Sequence, residues 1–411
     1  MVRWCAKYPK FWGGFYRIFM EHILIIGGGV GGALAHDLTL RGFRVTLVER
    51  GALLSGTSGR HHGLLHSGAR YVLHDLETAR ECFEENQILR HIAPQALESN
   101  DGLFVALDAA DMDHWDRFID LCAQAGIPAE PLSASLALTL EPELASTIEG
   151  AVRVPDASMD AWRLPMQFFA TAQCNGATIR EYCDVQALHV SNRTVKGVDI
   201  RNHRLNRVER LDADLVVNAA GPWAAKVAAL ADLQIPLRTV PGVMVSVPGR
   251  LNNMVINRLH PAGEGDIIVP QRNLSILGTT AWMADDPDVV QMPPDQVSRL
   301  FELCSRLIPR VREHEPHAIW HASRPVLAQG AEHDPMRMSR GFDCVDHAAY
   351  DELEGFVTLL GGKATTMRAM AEQTADLICR KTGRDRECRT REKVLKPYRS
   401  YYRIDVRRWD A

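Results

Sequence analysis

The chain has 411 residues, of which 46% are hydrophobic and 24% charged, and its net charge at pH 7 is −4. This length predicts two interlocked domains, and the composition is that of an ordinary globular chain with a sizeable core. No apolar run approaches the roughly 20 residues that a membrane-spanning helix needs. Nine cysteines are scattered without a Cys-x-x-Cys pair, which argues against a disulfide scaffold or a zinc ribbon and favours reduced thiols in a cytoplasmic protein.

Both ends of the sequence are basic. Residues 1–19 carry four basic and no acidic side chains, and residues 380–411 carry twelve basic and five acidic ones. Both segments are also rich in aromatic residues, a composition typical of a membrane-surface segment. For the first segment the alternative is a true start at Met20; for the second, it is a tail that folds against the protein's own acidic surface. We expect peripheral association with the inner face of the cell membrane, with both alternatives open.

The most informative stretch is residues 22–50, HILIIGGGVGGALAHDLTLRGFRVTLVER. An apolar run predicts a buried parallel strand at residues 23–26. A glycine-rich turn follows, then a helix at 33–40 and a second strand at 45–48. This strand–turn–helix–strand order is typical of a dinucleotide-binding unit.

The glycines of this turn have the G-x-G-x-x-G spacing. Gly27 allows the tight turn, Gly29 lets a pyrophosphate approach the backbone, and Gly32 lets the helix pack close to the strand. The helix N-terminus supplies N–H groups and a positive dipole end for the phosphates. Glu49, at the end of the second strand, is placed to bind ribose hydroxyls. The stretch therefore predicts an adenine dinucleotide, NAD or FAD, against the alternative of an ordinary glycine-rich turn.

Small and hydroxyl-bearing residues dominate the loop at 55–71, SGTSGRHHGLLHSGARY. Such a loop suits a large planar ligand and its phosphates, with Arg70 and Tyr71 directed toward a substrate. Three closely spaced histidines (61, 62 and 66) suggest a metal site, but metal sites usually add carboxylate or thiolate ligands, so we expect no metal. The predicted cofactor-lining residues of this loop are Thr57, Ser58, His62, His66 and Ser67.

Further elements follow in chain order. Helices are predicted at 77–92, 112–125, 166–175 and 295–307, and strands at 103–107, 177–180, 185–190, 195–200, 214–218, 243–247, 267–270 and 275–280. The last strand, from 355, ends in a second glycine turn and a helix to about residue 381. A second glycine turn far along the chain favours FAD over NAD, because a binding site for FAD must also hold the isoalloxazine ring. The cofactor residues predicted at these later turns are Ala220, Gly221, Gly361, Gly362, Lys363, Ala364 and Thr365.

The predicted fold class is α/β (α+β). A Rossmann-like FAD-binding domain is discontinuous, at 20–80, 150–232 and 338–382. A substrate domain with a mostly antiparallel sheet comprises 81–149 and 233–337. The basic segments at 1–19 and 383–411 lie outside both domains.

Six stretches together carry a resemblance to a known family: GGGVGGALAHDLTLRG, SGRHHGLLHSGARY, ETARECFEENQIL, VVNAAGPWA, SRPVLA and GGKATTMRAMAE. They resemble the catalytic subunit of anaerobic glycerol-3-phosphate dehydrogenase, within the glycine-oxidase-like flavoproteins. The resemblance runs from about residue 22 to 382. It implies non-covalent FAD, hydride transfer from C2 of sn-glycerol 3-phosphate to flavin N5, dihydroxyacetone phosphate as product, and electrons passed through partner subunits to quinone.

The family's phosphate-binding positions correspond to Arg70, Arg324 and Arg340, with Lys363 beside the flavin. Three guanidiniums from separate segments are suited to a dianionic phosphate, although any one of them can be an ordinary surface charge. The sequence differs from the family at Met367, where tyrosine is usual. We also expect it to lack the family's iron–sulfur extension, because only Cys379 and Cys388 lie near its end, and this expectation leaves the electron acceptor open.

The base that takes the hydroxyl proton is predicted to be His66 or His62. Both histidines can instead simply pack against the flavin, and Lys363 or an arginine can stabilise a developing alkoxide. Two alternatives to the predicted activity remain. One is oxidation of another polyol phosphate, a 2-hydroxy acid or an amine; the other is a non-catalytic flavin-binding subunit. No feature of the sequence indicates nucleic-acid binding.

Overall fold

The computed structural model describes residues 20–327 and 341–403. The predictions made for residues 1–19, for Arg340 and for residues 404–411 lie outside these ranges. The helices of the described ranges are α1 Gly31–Leu40, α2 Leu76–Ile92, α3 Ala109–Met112, α4 Trp115–Gln124, α5 Ala134–Leu140, α6 Arg163–Cys174, α7 Ala224–Ala229, α8 Gln296–Leu307, α9 His347–Tyr350 and α10 Met367–Thr382. None of them is long and apolar enough to cross a lipid bilayer.

The strands, in chain order, are β1 His22–Ile26, β2 Arg44–Glu49, β3 Leu64–Leu65, β4 Leu97–Glu98, β5 Gly102–Ala106, β6 Glu130–Ser133, β7 Gly150–Val154, β8 Ala157–Met159, β9 Thr178–Glu181, β10 Cys183–Ser191, β11 Thr194–Asn202, β12 Arg207–Asp212, β13 Leu215–Asn218, β14 Leu237–Pro248, β15 Val255–Arg258, β16 Ile267–Gln271, β17 Leu274–Gly278, β18 Ala318–Leu327, β19 Phe342–Asp346 and β20 Phe356–Gly361.

A six-stranded sheet, in the order β19-β20-β13-β1-β2-β9, forms the first layer. All neighbouring pairs in it are parallel except β19 with β20. All five residues of β1 are buried. The central strands of a parallel sheet are covered by helices on both faces, which is why their sequences are continuous apolar runs. The carboxyl ends of β1, β2 and β13 therefore meet at one edge, which is where a doubly wound sheet binds its ligand.

The second layer is an eight-stranded sheet in the order β18-β14-β17-β16-β15-β5-β7-β6. Its pairs are antiparallel except β15 with β5, which confirms the predicted mostly antiparallel sheet. A separate core lies between this sheet and the helices α5 and α8. The sheet includes β7, which runs to Val154, past the predicted boundary at residue 149. Two small three-stranded sheets, β10-β11-β12 and β3-β8-β4, complete the fold.

One predicted helix was wrong in its extent. The helix predicted at 112–125 begins only at Trp115, as α4, because Met112 is the last residue of the short helix α3 and residues 113–114 separate the two helices. Asp111 explains the interruption: its buried carboxylate accepts hydrogen bonds from the Leu107 N–H group at 2.9 Å and from Arg258 Nε at 2.9 Å. These contacts hold the end of α3 against the sheet, and a new helix begins at Trp115.

The segment after α10 packs against the helices α2 and α10. Gly383 ends α10 in a left-handed conformation, with φ of 65°. Leu395 is only 3% exposed, and its N–H group donates to the Ile92 carbonyl at 2.8 Å. Arg391 forms ion pairs with Glu84 and Glu372. Residues 383–403 of the basic tail therefore fold against acidic groups of their own chain. This arrangement is the alternative to membrane association that the sequence left open for this tail.

Candidate functional site

A cavity of about 470 Å³ opens at the carboxyl ends of β1, β2 and β13 and extends to the turn after β20. Most of the predicted site residues share its wall. They are Gly27, Gly29, Glu49, Thr57, Ser58, His62, His66, Tyr71, Ala220, Gly221, Arg324, Gly361, Gly362, Lys363, Ala364 and Thr365.

The glycine turn after β1 leaves no room for side chains. Gly27 has φ of +115°, and a Cβ atom there would collide with the Ala219 carbonyl oxygen. A Cβ atom on Gly29 would lie 2.5 Å from Ser58 Oγ. No side chain of the described residues caps α1. The Gly32 N–H group donates to the Gly29 carbonyl at 3.2 Å, and the helix N-terminus directs the positive end of its dipole at this turn. The turn fits a pyrophosphate group.

Glu49 closes the same end of the cavity. Its Oε2 accepts a hydrogen bond from the Gly28 N–H group at 2.7 Å, and its Oε1 accepts one from the Gly51 N–H group at 2.9 Å. These two bonds fix the carboxylate at the end of β2, beside the cavity. A carboxylate in this position fits the ribose hydroxyls of an adenine dinucleotide.

The second glycine turn lines the same cavity. Gly361 and Gly362 have φ of +72° and +88°, and the Gly362 N–H group donates to the Gly341 carbonyl at 3.0 Å. The His66 N–H group donates to Thr365 Oγ1 at 3.2 Å, which ties the histidine loop to this turn. Segments roughly 300 residues apart in sequence therefore enclose one cavity, as the two glycine turns predict.

Three side chains with polar or charged ends lie together at the junction with a second cavity. The rings of His66 and Tyr71 are 5.4 Å apart, and Lys363 Nζ lies 5.1 Å from the centre of the Tyr71 ring. His66 is 9% exposed. The second cavity, of about 970 Å³, shares His62, His66 and Tyr71 with the first.

Arg324 lies on β18, at the edge of the larger sheet. Its Nη2 donates to Thr279 Oγ1 at 2.9 Å and to the Thr280 carbonyl at 3.3 Å. Thr279 lines the second cavity and Arg324 lines the first. The guanidinium is thus held in a fixed orientation close to the junction between the two cavities.

Arg70 is on the wall of the second cavity and not of the first. Its side chain is 8% exposed, and its Nη2 donates to Asp266 Oδ1 at 2.8 Å and to the Gly263 carbonyl at 3.0 Å. A buried guanidinium is stabilised by such a counter-ion. Arg70 can therefore reach an anion only from the side of the second cavity.

Two predicted cofactor residues lie behind the wall. A Cβ atom on Gly32 would collide with the ring of Phe169, so Gly32 allows α1 to pack against α6. The close approach of helix to strand occurs instead at Gly31, where a Cβ atom would lie 3.0 Å from Ile25 Cγ2. Ser67 is fully buried, and its N–H group donates to Asp156 Oδ1 at 2.7 Å.

The histidine loop does not form a metal site within the described residues. The rings of His61 and His62 are 6.4 Å apart, and those of His62 and His66 are 6.1 Å apart. In residues 20–327 and 341–403 no group of three or more His, Cys, Asp or Glu side chains could hold a metal ion. Burial lowers the pKa of His61 to about 4, so this histidine stays neutral at physiological pH.

The lining residues of the first cavity that were not predicted from the sequence include a guanidinium, an indole and an ammonium group, those of Arg50, Trp223 and Lys226. Arg50 directly follows Glu49, and the other two follow the Ala220–Gly221 turn. Their positions next to two predicted cofactor segments were the available signal. Loops that a rigid scaffold positions commonly carry binding residues, so the neighbours of a predicted binding turn are candidates for the same cavity.

Known proteins resemble this chain over most of its length. The model of the family "FAD dependent oxidoreductase" (DAO) matches residues 22–377. A protein of Haemophilus influenzae that is named as a subunit of anaerobic glycerol-3-phosphate dehydrogenase is 38% identical over 376 residues, which cover 91% of this chain and 67% of that protein. The protein of the same name from Escherichia coli K12 is 40% identical over 376 residues, covering 91% and 69%. The chain thus spans about two thirds of the length of these relatives.

Among solved structures, the glycerol-3-phosphate dehydrogenase of Bacillus halodurans complexed with FAD has a TM-score of 0.71 at 21% identity, covering 94% of this chain and 71% of that chain. This likeness concerns the fold. The family match and the identity to the curated relatives confirm the resemblance found in the sequence, and they decide between NAD and FAD. The chain belongs to the family of FAD-dependent oxidoreductases.

Proposed function

We propose that this chain oxidises sn-glycerol 3-phosphate to dihydroxyacetone phosphate. The observation that supports this most is the position of Arg324 and Lys363, which line one cavity together with His66 and Tyr71. Relatives named glycerol-3-phosphate dehydrogenase, at 38–40% identity over 91% of the chain, support the same substrate. FAD, when bound, supplies the two-electron acceptor.

The phosphate of the substrate would be recognised by Arg324, which lines the first cavity. Arg324 Nη2 is occupied by Thr279 and Thr280, which orients the guanidinium plane and lowers the conformational entropy lost on binding. Arg70 would act from the second cavity, with Asp266 as its fixed partner. Arg340 remains part of this proposal by the family resemblance alone.

His66 is the base that we propose for the hydroxyl proton. Its backbone is held by Thr365, and its ring lies against Tyr71 at the junction of the two cavities. Neutral imidazole is a suitable proton acceptor near neutral pH. Lys363, close by, would stabilise negative charge that develops on the substrate oxygen.

We propose that the electrons leave through a partner protein or a quinone. The curated relatives are named as single subunits of a dehydrogenase, which indicates that those proteins belong to an assembly. Peripheral membrane association remains a proposal for residues 1–19 and 404–411. Co-sedimentation with anionic liposomes at low and high salt tests it, using the full chain and a chain without both segments. Full-length protein that stays in the supernatant at low salt would rule the membrane contact out.

Steady-state kinetics with a dye acceptor test the substrate. Glycerol 3-phosphate, 2-hydroxyglutarate and glycine should be compared on the purified holoenzyme. We expect turnover only with the first, because only a phosphate dianion matches several converging cations. Turnover of the hydroxy acid or the amine alone would replace our proposal by one of the alternatives. A flavin that no substrate reduces would indicate a non-catalytic flavin-binding protein.

A further inference from the structure

Four charged side chains and one tryptophan form a cluster at the mouth of the first cavity. We name this cluster the clasp. Three belong to the parallel-sheet domain: Arg50, directly after β2, Trp223, in the turn after β13, and Lys226, on α7. The other two, Asp286 and Asp288, lie in the segment between β17 and α8 of the second domain. The clasp therefore joins the two domains beside the predicted ribose-binding Glu49.

Asp288 is the centre of the clasp. Its Oδ1 accepts hydrogen bonds from Arg50 Nη2 at 2.9 Å and from Trp223 Nε1 at 2.8 Å. Its Oδ2 accepts a hydrogen bond from Lys226 Nζ at 2.7 Å. Lys226 Nζ also donates to Asp286 Oδ1 at 2.6 Å. The Arg50 guanidinium lies 4.2 Å from the centre of the Trp223 ring, so a cation–π contact adds to the ion pairs.

Only one side of the clasp lines the cavity that is proposed to hold FAD. Arg50, Trp223 and Lys226 line the first cavity, whereas neither aspartate does. The aspartate segment is anchored to the large sheet, because the Ala284 N–H group donates to the Thr239 carbonyl at 3.0 Å. Opening the mouth at this point therefore requires these ion pairs to break.

We propose that Asp286 and Asp288 are positioning residues that hold the second domain across the adenosine end of the FAD cavity and thereby slow the release of FAD. They act through Arg50, Trp223 and Lys226, and they have no part in the oxidation step. The proposal rests on FAD as the cofactor and is independent of the substrate.

Charge and exposure predict how the clasp responds to solution conditions. The four charged side chains are 38–46% exposed, so salt screens each pair and a single pair contributes little. Partial burial raises the pKa of Asp288, but hydrogen bonds from Lys226, Trp223 and Arg50 outweigh it and lower the pKa to about 2. The clasp should therefore persist across neutral pH and weaken with ionic strength.

The test measures FAD release from the holoenzyme by the gain in flavin fluorescence after rapid dilution to a concentration at which rebinding is negligible. The double variant Asp286→Asn/Asp288→Asn should release FAD about three- to tenfold faster than the wild type at low salt. Raising the salt concentration should accelerate the wild type toward the variant and leave the variant nearly unchanged. Lys226→Met removes the other side of the clasp and should show the same pattern.

The control is Glu143→Gln, which breaks a comparably exposed ion pair with Arg310 of 2.8 Å, between two residues that do not line the first cavity. It should release FAD at the wild-type rate. Asp288→Glu, which keeps the charge, should restore part of the salt dependence. Equal release from the double variant and the wild type at low salt would overturn the proposal. Slower release would also overturn it, because it would mean that unpaired Arg50 and Lys226 attract the cofactor's phosphates instead.

Discussion

Replacing Arg324 by alanine should weaken binding of glycerol 3-phosphate far more than it slows the chemical step. The guanidinium is fixed by Thr279 and lines the cofactor cavity, so it is ready to donate to a phosphate oxygen. Loss of one charge-assisted hydrogen bond removes about 1.5–3 kcal/mol, which raises KM about 10- to 150-fold. Because the phosphate lies away from the reacting carbon, kcat should change much less.

The assay is steady-state turnover with a dye acceptor across a range of substrate concentrations. Arg324→Lys keeps the charge but loses the planar fork, so its KM should lie between those of wild type and Arg324→Ala. Arg310→Ala is the matched control, since Arg310 is half exposed and pairs with Glu143; it should leave KM unchanged. An unchanged KM in Arg324→Ala would show that the phosphate does not bind at this arginine.

Three further predictions concern the cofactor and stability. FAD should be non-covalent, so acid precipitation should leave the yellow colour in the supernatant; colour in the pellet would contradict this. Burial lowers the pKa of His36 to about 4, and neither ring nitrogen has a hydrogen-bond partner among the described residues. As the pH is lowered, the unfolded chain protonates His36 near pH 6.5, whereas the folded chain does so only near pH 4. The free energy of unfolding should therefore fall as the pH drops from about 6.5 to 4, by roughly 2 kcal/mol at pH 5. His36→Leu should remove this loss in urea titrations and the exposed His91→Leu should not. Finally, Arg368→Met should lower the free energy of unfolding by about 3–5 kcal/mol, because it leaves the buried carboxylate of Glu85 without its partner; Glu85→Leu in the same chain should recover most of that loss.

Local patterns predicted the residues that line the first cavity at the ends of β1 and β2. Strand, turn, helix and terminal Glu49 lie within 30 residues, and each has a short-range physical requirement that the sequence displays directly. The second glycine turn was predicted for the same reason. The separate roles of Gly31 and Gly32 could not be predicted from the sequence. They depend on the side chain that faces each glycine, which is Ile25 for Gly31 and Phe169 for Gly32.

Contacts between side chains far apart in the chain could not be predicted from the sequence. Arg70 is held by Asp266, 196 residues further along the chain, and nothing near Arg70 indicates this partner. The same holds for Asp288 in the clasp, which pairs with Arg50 across 238 residues. The basic tail is a related case, because its charge pattern suits an anionic membrane and an acidic protein surface equally, and only the fold places Arg391 beside Glu372.

Anaerobic mixing of the purified holoenzyme with glycerol 3-phosphate tests the central claim most directly. The flavin absorption band should bleach within the time of a single turnover, dihydroxyacetone phosphate should form in an amount equal to the flavin reduced, and Arg324→Ala should need a much higher substrate concentration for the same rate. A flavin that stays oxidised with glycerol 3-phosphate, but is bleached by 2-hydroxyglutarate or glycine, would contradict the account.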